Sequence, residues 1–372
     1  MGQFPLPTSD LAAANLRHEQ IDRLVQLIET HMAENRFPGG QIAIARHGKL
    51  AYQRNFGSAR AGVPVSDATR FLLYSNTKVI TAVATWLLAE RGAFRFVDKM
   101  ADHVPEFARN GKQDITIMQV ITHLGGFPNA QVPFAAWEDH EKLKDAVCNF
   151  NLEFTPGSRL HYHGQSAHWT LAVLIEALTG QDFRSFIRDE VLVPLGLGDD
   201  VHVGLPDALH GATADMHVPD GDSVALLPEH NSPEWKRAGS PGAGGYASAR
   251  GMAALYQMML QGGELGGKRL LSPRTLQYAI RNWTGDMVDM NMGMPMHRGL
   301  GPHLRGTTPS IRGLGSFASP GTFGHGGAGI AYCWGDPDSG VSFAYLTNCR
   351  IPDPWHSRRL DLVANFVHSA IL

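Results

Sequence analysis

Between residues 18 and 32 the apolar positions Ile21, Leu24, Val25, Ile28 and Met32 return every three or four residues, which places them on one stripe of an amphipathic helix. Residues 41–46 alternate instead, with Ile42 and Ile44 on one side, and the turn pair His47-Gly48 leads to a second β-rich run, 50–56. That pattern predicts a β-hairpin. Near the other end, 329–334 and 341–346 are β-rich runs joined by the turn-forming Gly335-Asp336-Pro337-Asp338-Ser339-Gly340. Residues 355–371 follow as a helix with Leu360, Val363 and Val367 in register. A helix beside a hairpin at each end predicts one antiparallel sheet, built from both termini and flanked by their helices.

The middle of the chain changes character. Residues 77–91, 117–123, 167–178 and 183–191 carry helical patterns, whereas 204–245 and 285–324 read as irregular. In the first of these helices Val79, Ile80, Val83, Trp86, Leu87 and Leu88 occupy most of the circumference, the mark of a helix buried on nearly every side. The expected organisation is a sheet region of 1–74 with 310–372, a mostly helical region of 75–309, and a cleft between them.

Composition narrows the function classes. With 372 residues, 43% hydrophobic and 18% charged, the chain is long enough for a sizeable core and too balanced for a disordered or fibrous one. The 32 basic and 35 acidic residues leave a net charge of −3, without the footprint that nucleic acid or an anionic membrane requires. No apolar run reaches about 18 residues, and the opening MGQFPLPTSDLAAANLRHEQ lacks the pattern of an export signal. Cys148, Cys333 and Cys349 have no metal-ligand spacing and form no even set, so reduced thiols and a soluble, cytoplasmic protein are expected.

Three stretches carry candidate chemistry. Ser75-Asn76-Thr77-Lys78 places a hydroxyl and an amine three residues apart, on one face of the buried helix. A serine needs a neighbouring base to become a nucleophile, and a lysine enclosed by apolar helix can have its pKa lowered enough to take part. The alternative is a helix-capping serine beside a solvated lysine. Pro156-Gly157-Ser158-Arg159-Leu160-His161-Tyr162 leads to a tyrosine just before a helix; a phenol acts as a base near neutrality only beside a cation, and Lys78 is a candidate for it. The alternative there is a part-buried tyrosine bonded to backbone. Gly324-His325-Gly326-Gly327-Ala328-Gly329 lets a strand edge lie against a ligand, with a backbone N–H near Ala328 pairing with that of Ser75 as an oxyanion hole. A plain glycine turn is the alternative.

In combination, Ser75-x-x-Lys78, the run ending at Tyr162, and His325-Gly326-Gly327 resemble the serine β-lactamase and penicillin-binding protein superfamily, and within it the class C β-lactamase-like (family VIII) carboxylesterases. The resemblance runs from about residue 21 to the last one, and ITIMQVITHLGGFP, SPGAGGYASARGMAALYQMMLQGG and GHGGAGIAYCWGDPDSGVSFAYLTN share it. It implies an α+β, β-lactamase/transpeptidase-like fold with an antiparallel sheet and a central helical region. It also implies attack by Ser75, proton transfer by Tyr162 with Lys78, and an oxyanion hole from the N–H groups of Ser75 and Ala328. His325, Gly326, Gly327 and His163 are expected to bind substrate, with no metal or cofactor.

Two departures bear on substrate. Tyr162-His163-Gly164 stands where family members carry Tyr-x-Asn or Tyr-Ser-x, which removes an amide that would bind substrate or Lys78. His325 stands where the penicillin-recognising members carry lysine, and no lysine follows Lys268. A neutral imidazole attracts an anion weakly, which favours uncharged esters; the expected activity is that of a serine hydrolase on carboxylic esters of short to medium acyl chains. Runner-up activities are a β-lactamase or D-amino-acid peptidase and an acyltransferase; a binding protein that lost its activity is the reading from another class.

Gly164-Gln165-Ser166-Ala167-His168 half-matches the nucleophile elbow of α/β-hydrolases but lacks its last glycine and the preceding strand. His161-x-His163 and the histidines of 297–303 lack an acidic third ligand at a known spacing. Met287, Met290, Met292, Met294 and Met296 crowd one stretch with Gly293 and Pro295, either as core filling or as a flexible apolar wall of the cleft.

Overall fold

In the computed structural model, which describes residues 4–309 and 313–372, the two hairpins form and share one sheet. The N-terminal side supplies β1 (Gly39–Arg46), β2 (Lys49–Arg60) and β3 (Val63–Pro64). The later part of the chain supplies β4 (His297–Arg298), β5 (His303–Leu304), β6 (Phe323–Gly327), β7 (Ala331–Asp336) and β8 (Val341–Thr347). The eight strands lie in the order β4-β5-β6-β7-β8-β1-β2-β3, with antiparallel neighbours throughout. The two ends of the chain meet at β1 and β8, where Gly40 faces Thr347 and Ile44 faces Phe343.

Alternation along the strands decides which helix covers which face. Ile42 and Ile44 point the same way as Trp334, Phe343 and Tyr345, and the helices His18–Ala33 and Trp355–Ala370 close over them. Ala43, Ala45, Cys333 and Ala344 point the other way, into the core shared with the helix Ala249–Leu260. Small side chains on that face let the helix come close; a Cβ on Gly335 would already touch Leu260 at 3.2 Å. Gln257 fixes its depth, donating to Ala45 O, Gly340 O and Ser342 Oγ at 3.0–3.1 Å.

The helix Ala249–Leu260 lies within the stretch expected to belong to the central helical region, yet it packs on the sheet. The core on this face runs on without a break into that region through Val79, Trp86 and Leu174. From Thr77 to Leu88 every residue of the helix Thr77–Glu90 is buried, in line with its apolar circumference. Part of 285–324 is not irregular: β4 and β5 come from it and form the edge of the sheet. The region boundary expected at 310 falls on residues outside those described. The helix expected at 183–191 runs as Phe183–Phe186 and then widens into a π-helical turn, Ile187–Leu192. Among the described residues no helix is long and apolar enough to cross a membrane.

Candidate active site

The chain enters the Ser75 helix through a sharp bend. After the short strand Phe71–Leu72, Tyr74 adopts φ +43°, a left-handed conformation costly for a bulky side chain, and Tyr74–Asn76 forms a 3-10 turn that runs directly into Thr77–Glu90. Burial and a 2.5 Å hydrogen bond between Tyr74 OH and His230 Nδ1 hold the bend in place. Its effect is to leave the Ser75 hydroxyl at the rim of a cleft while the residues around it are sealed in the core.

Two proton-carrying groups converge on that hydroxyl. Tyr162 OH donates to Ser75 Oγ at 2.9 Å, and Lys78 Nζ lies 3.2 Å from the same oxygen. Lys78 is fully buried, and its remaining donors reach the carbonyls of Gly164 at 2.7 Å and Gly242 at 2.8 Å. Three acceptors match the three hydrogens of an ammonium. Burial pulls the Lys78 pKa down from its usual range, and Tyr162 opposes that pull. Neither carbonyl was visible in the sequence, because a main-chain acceptor has no side-chain signature. Gly164 thus supplies from its backbone a partner for Lys78, at the motif position where a side-chain amide is missing. The segment holding Gly242 is part of SPGAGGYAS, and Gly245 N donates to Thr77 Oγ1 at 2.9 Å to lock it against the helix.

His163 does not line the cleft, which corrects the expectation for it. Its side chain is fully buried, with Nε2 accepting from Phe127 N at 3.2 Å, and burial drives its pKa down to about 3. The backbone turn after Tyr162 carries the imidazole inward, so it supports the loop and faces no substrate. The rival serine fares likewise: Ser166 is fully buried and donates to Phe127 O at 2.8 Å.

The glycine-rich stretch is itself a strand edge. β6 includes His325, Gly326 and Gly327, paired with β7, and the turn begins only at Ala328. A Cβ on Gly327 would collide with the Leu73 carbonyl oxygen, so only glycine lets β6 lie against the bend before Ser75. With its amide turned so that the nitrogen faces the His325 carbonyl, Asn76 fastens the two, donating to His325 O and accepting from Gly327 N at 3.1 Å. His325 is 2% exposed and lies against His303 with ring centres 4.2 Å apart and the ring planes tilted by 35°. Ser75, Tyr162, His325, Gly326, Gly327 and Ala328 line one cleft of about 210 Å³, with apolar surface from Met292, Tyr332 and Leu360.

The methionine run divides between roles. Met292 borders the cleft, Met294 borders a separate small depression, and Met296 is buried in the core. Met292→Ser should therefore raise KM for a hexanoyl ester several-fold and leave KM for acetyl unchanged, whereas Met294→Ser should change neither; steady-state kinetics on the two nitrophenyl esters check this.

A larger depression of about 370 Å³, between His103, Glu106, His140 and Glu176, has no serine, threonine or cysteine in its lining among the described residues. There His140, Glu176 and Asp182 bring ligand atoms within 4.8 Å of one another, the one such group among the described residues. Asp182 is already committed, capping the helix that starts at Phe183 and pairing with Arg184 at 2.6 Å, which leaves a metal an incomplete donor set.

The chain is similar to known proteins over most of its length. The profile of the family described as Beta-lactamase matches residues 24–367. A Mycobacterium tuberculosis protein named Esterase/beta-lactamase LipL is 29% identical over 350 residues, which span 84% of this chain and 77% of its own length. The solved structure of a penicillin-binding protein homolog from Caulobacter crescentus superposes with a TM-score of 0.79 at 26% identity, covering 94% of this chain and 98% of that one. A family VIII carboxylesterase shares the fold with a TM-score of 0.81 at 24% identity, covering 95% and 98%.

Proposed function

Because this chain belongs to the Beta-lactamase family, we propose that it is a serine hydrolase that cleaves uncharged carboxylic esters of short to medium acyl chains through an acyl-enzyme. The observation that carries this reading is the convergence of Tyr162 OH at 2.9 Å and Lys78 Nζ at 3.2 Å on Ser75 Oγ. In the acylation step Tyr162, as phenolate beside the Lys78 ammonium, takes the hydroxyl proton of Ser75 while Oγ bonds to the ester carbonyl carbon. The oxyanion that forms lies at the N–H groups of Ser75 and Ala328. Its collapse breaks the bond to the alcohol oxygen, which leaves with the proton now on Tyr162. Water then repeats the sequence: it gives a proton to Tyr162, adds to the acyl carbon, and releases the acid as Ser75 recovers its proton. Every group needed is a side chain or backbone N–H of this chain.

Support for esters over anionic lactams comes from the cleft wall, where the buried His325 stands in a strand that carries no lysine. The relative named Esterase/beta-lactamase LipL is consistent with either substrate. One panel decides: p-nitrophenyl acetate, butyrate and hexanoate, nitrocefin, and a D-alanyl-D-alanine amide. The expected result is a kcat/KM for butyrate at least tenfold above that for nitrocefin. A preference for nitrocefin or for the peptide would assign the chain to lactam or peptide hydrolysis.

A further inference from the structure

Behind Tyr162 lies a buried ion pair that the reaction scheme above does not use. Arg298 on β4 is 1% exposed and Asp289 0%, with Nη2 and Oδ2 2.5 Å apart. A pair this deep adds little net stability, because desolvation offsets most of the attraction. Its contacts point to Tyr162. Asp289 Oδ1 accepts from the Tyr162 backbone N–H at 3.1 Å, and Met290 N donates to Leu160 O at 2.9 Å, so the carboxylate and the chain around it grip the segment that carries the tyrosine. The Arg298 guanidinium carbon lies 5.0 Å from the centre of the Tyr162 ring, as close as Lys78 Nζ at 5.1 Å. Among the described residues Arg298 Nε and Nη1 are buried without a hydrogen-bond acceptor, and Asp289 is the one carboxylate paired with Arg298.

The other titratable groups facing Tyr162 are His123 at 4.8 Å, His325 at 6.1 Å and His303 at 6.5 Å between ring centres. Burial holds the His123 pKa well below its ordinary value, which keeps that ring neutral. Lys78 Nζ and the Arg298 guanidinium are the lysine and arginine groups that lie over the Tyr162 ring among the described residues. We propose that Arg298, clamped by Asp289, is a positioning residue that fixes Tyr162 and, together with Lys78, favours its phenolate, setting the lower pH limit of the reaction. This rests on Tyr162 being the base.

The test is the pH profile of kcat/KM, on whichever chromogenic substrate of the panel is turned over, for wild type, Asp289→Asn, and the pair variant Asp289→Asn with Arg298→Gln. The pair variant leaves no lone buried charge, and should move the acidic limb up by about one pH unit, a loss of about tenfold on that limb that is recovered in alkali. Asp289→Asn alone keeps the cation and removes its counter-charge, and should move the limb down. Opposite displacements are not a property of a merely structural pair. A uniform loss with unmoved limbs in both variants overturns the proposal; if the pair variant does not fold, an unmoved or raised limb in Asp289→Asn does so by itself. Tyr162→Phe in the same series reports on the base assignment: an active variant removes that assignment, and the Arg298 role with it.

Discussion

Ser75→Ala should lower kcat/KM on the preferred ester by about four orders of magnitude or more, the loss typical of a nucleophile that works as one member of a unit. The fold should be untouched. Lys78 Nζ keeps two of its acceptors, Gly164 O and Gly242 O, and Tyr162 OH faces the cleft, where water replaces the lost oxygen. No buried group is stranded, so the stability change should stay within about 1 kcal/mol. Thermal melting followed by circular dichroism checks the second half. Mass spectrometry after a nitrophenyl phosphonate checks the first, with the adduct expected on Ser75; an adduct on Ser166, or residual turnover within tenfold of wild type, would remove Ser75 from its role.

Lys78→Ala and Tyr162→Phe should each reduce kcat by about a thousandfold with little change in KM, and the double variant should be scarcely worse than either. Both groups touch one oxygen and one proton, so removing the second partner takes away a path already broken. Stability should separate them. Lys78→Ala leaves the carbonyls of Gly164 and Gly242 buried without their donor, at about 1–3 kcal/mol each, and opens a cavity in the core. Tyr162→Phe loses a single hydroxyl at the cleft. A lower melting temperature for the first and an unchanged one for the second is the expected pattern, and kinetic losses that multiply would mean two independent roles.

Much of this architecture is legible before any coordinates, for a physical reason. Ile42 with Ile44, and Leu360 with Val363 and Val367, lie on elements with one wet face, where the period of the element is written in the side chains. The helix Ala249–Leu260 has an apolar face in its pattern, but that pattern does not say whether the face meets the sheet or the other helices. β4 and β5 are two residues each, too short for any period. At the site, Ser75, Lys78 and Tyr162 are visible because their chemistry is in their side chains. What surrounds them is less so: the Gly164 and Gly242 carbonyls belong to backbone, the bend at Tyr74 shows only as φ +43°, and Asp289 and Arg298 are nine positions apart, each ending a strand of two residues that leaves no period in the sequence. His163 misled because an imidazole beside a motif tyrosine looks like a ligand group, while the turn that buries it is not encoded at that residue.

The meeting of β1 with β8 has a consequence for how the protein is made. Gly40 and Thr347 are partners across the middle of the main sheet, about three hundred residues apart in the order of synthesis. Closing so long a loop is slow and gains nothing until the contacts at its ends form. During translation β1 and β2 leave the ribosome as a hairpin with one edge unpaired, and Ser75 follows soon after, long before the strand that carries Gly327. On the proposed mechanism a growing chain therefore holds Ser75 without the Ala328 N–H that completes the oxyanion hole, and the hairpin edge stays open to other chains or to chaperones. β6 is tied to β1 only through β7 and β8, so the glycine-rich strand cannot take its place in the sheet until β8 has been made. Pulse-labelled nascent chains stalled before residue 341 should be protease-sensitive at β1 and silent toward an active-serine probe.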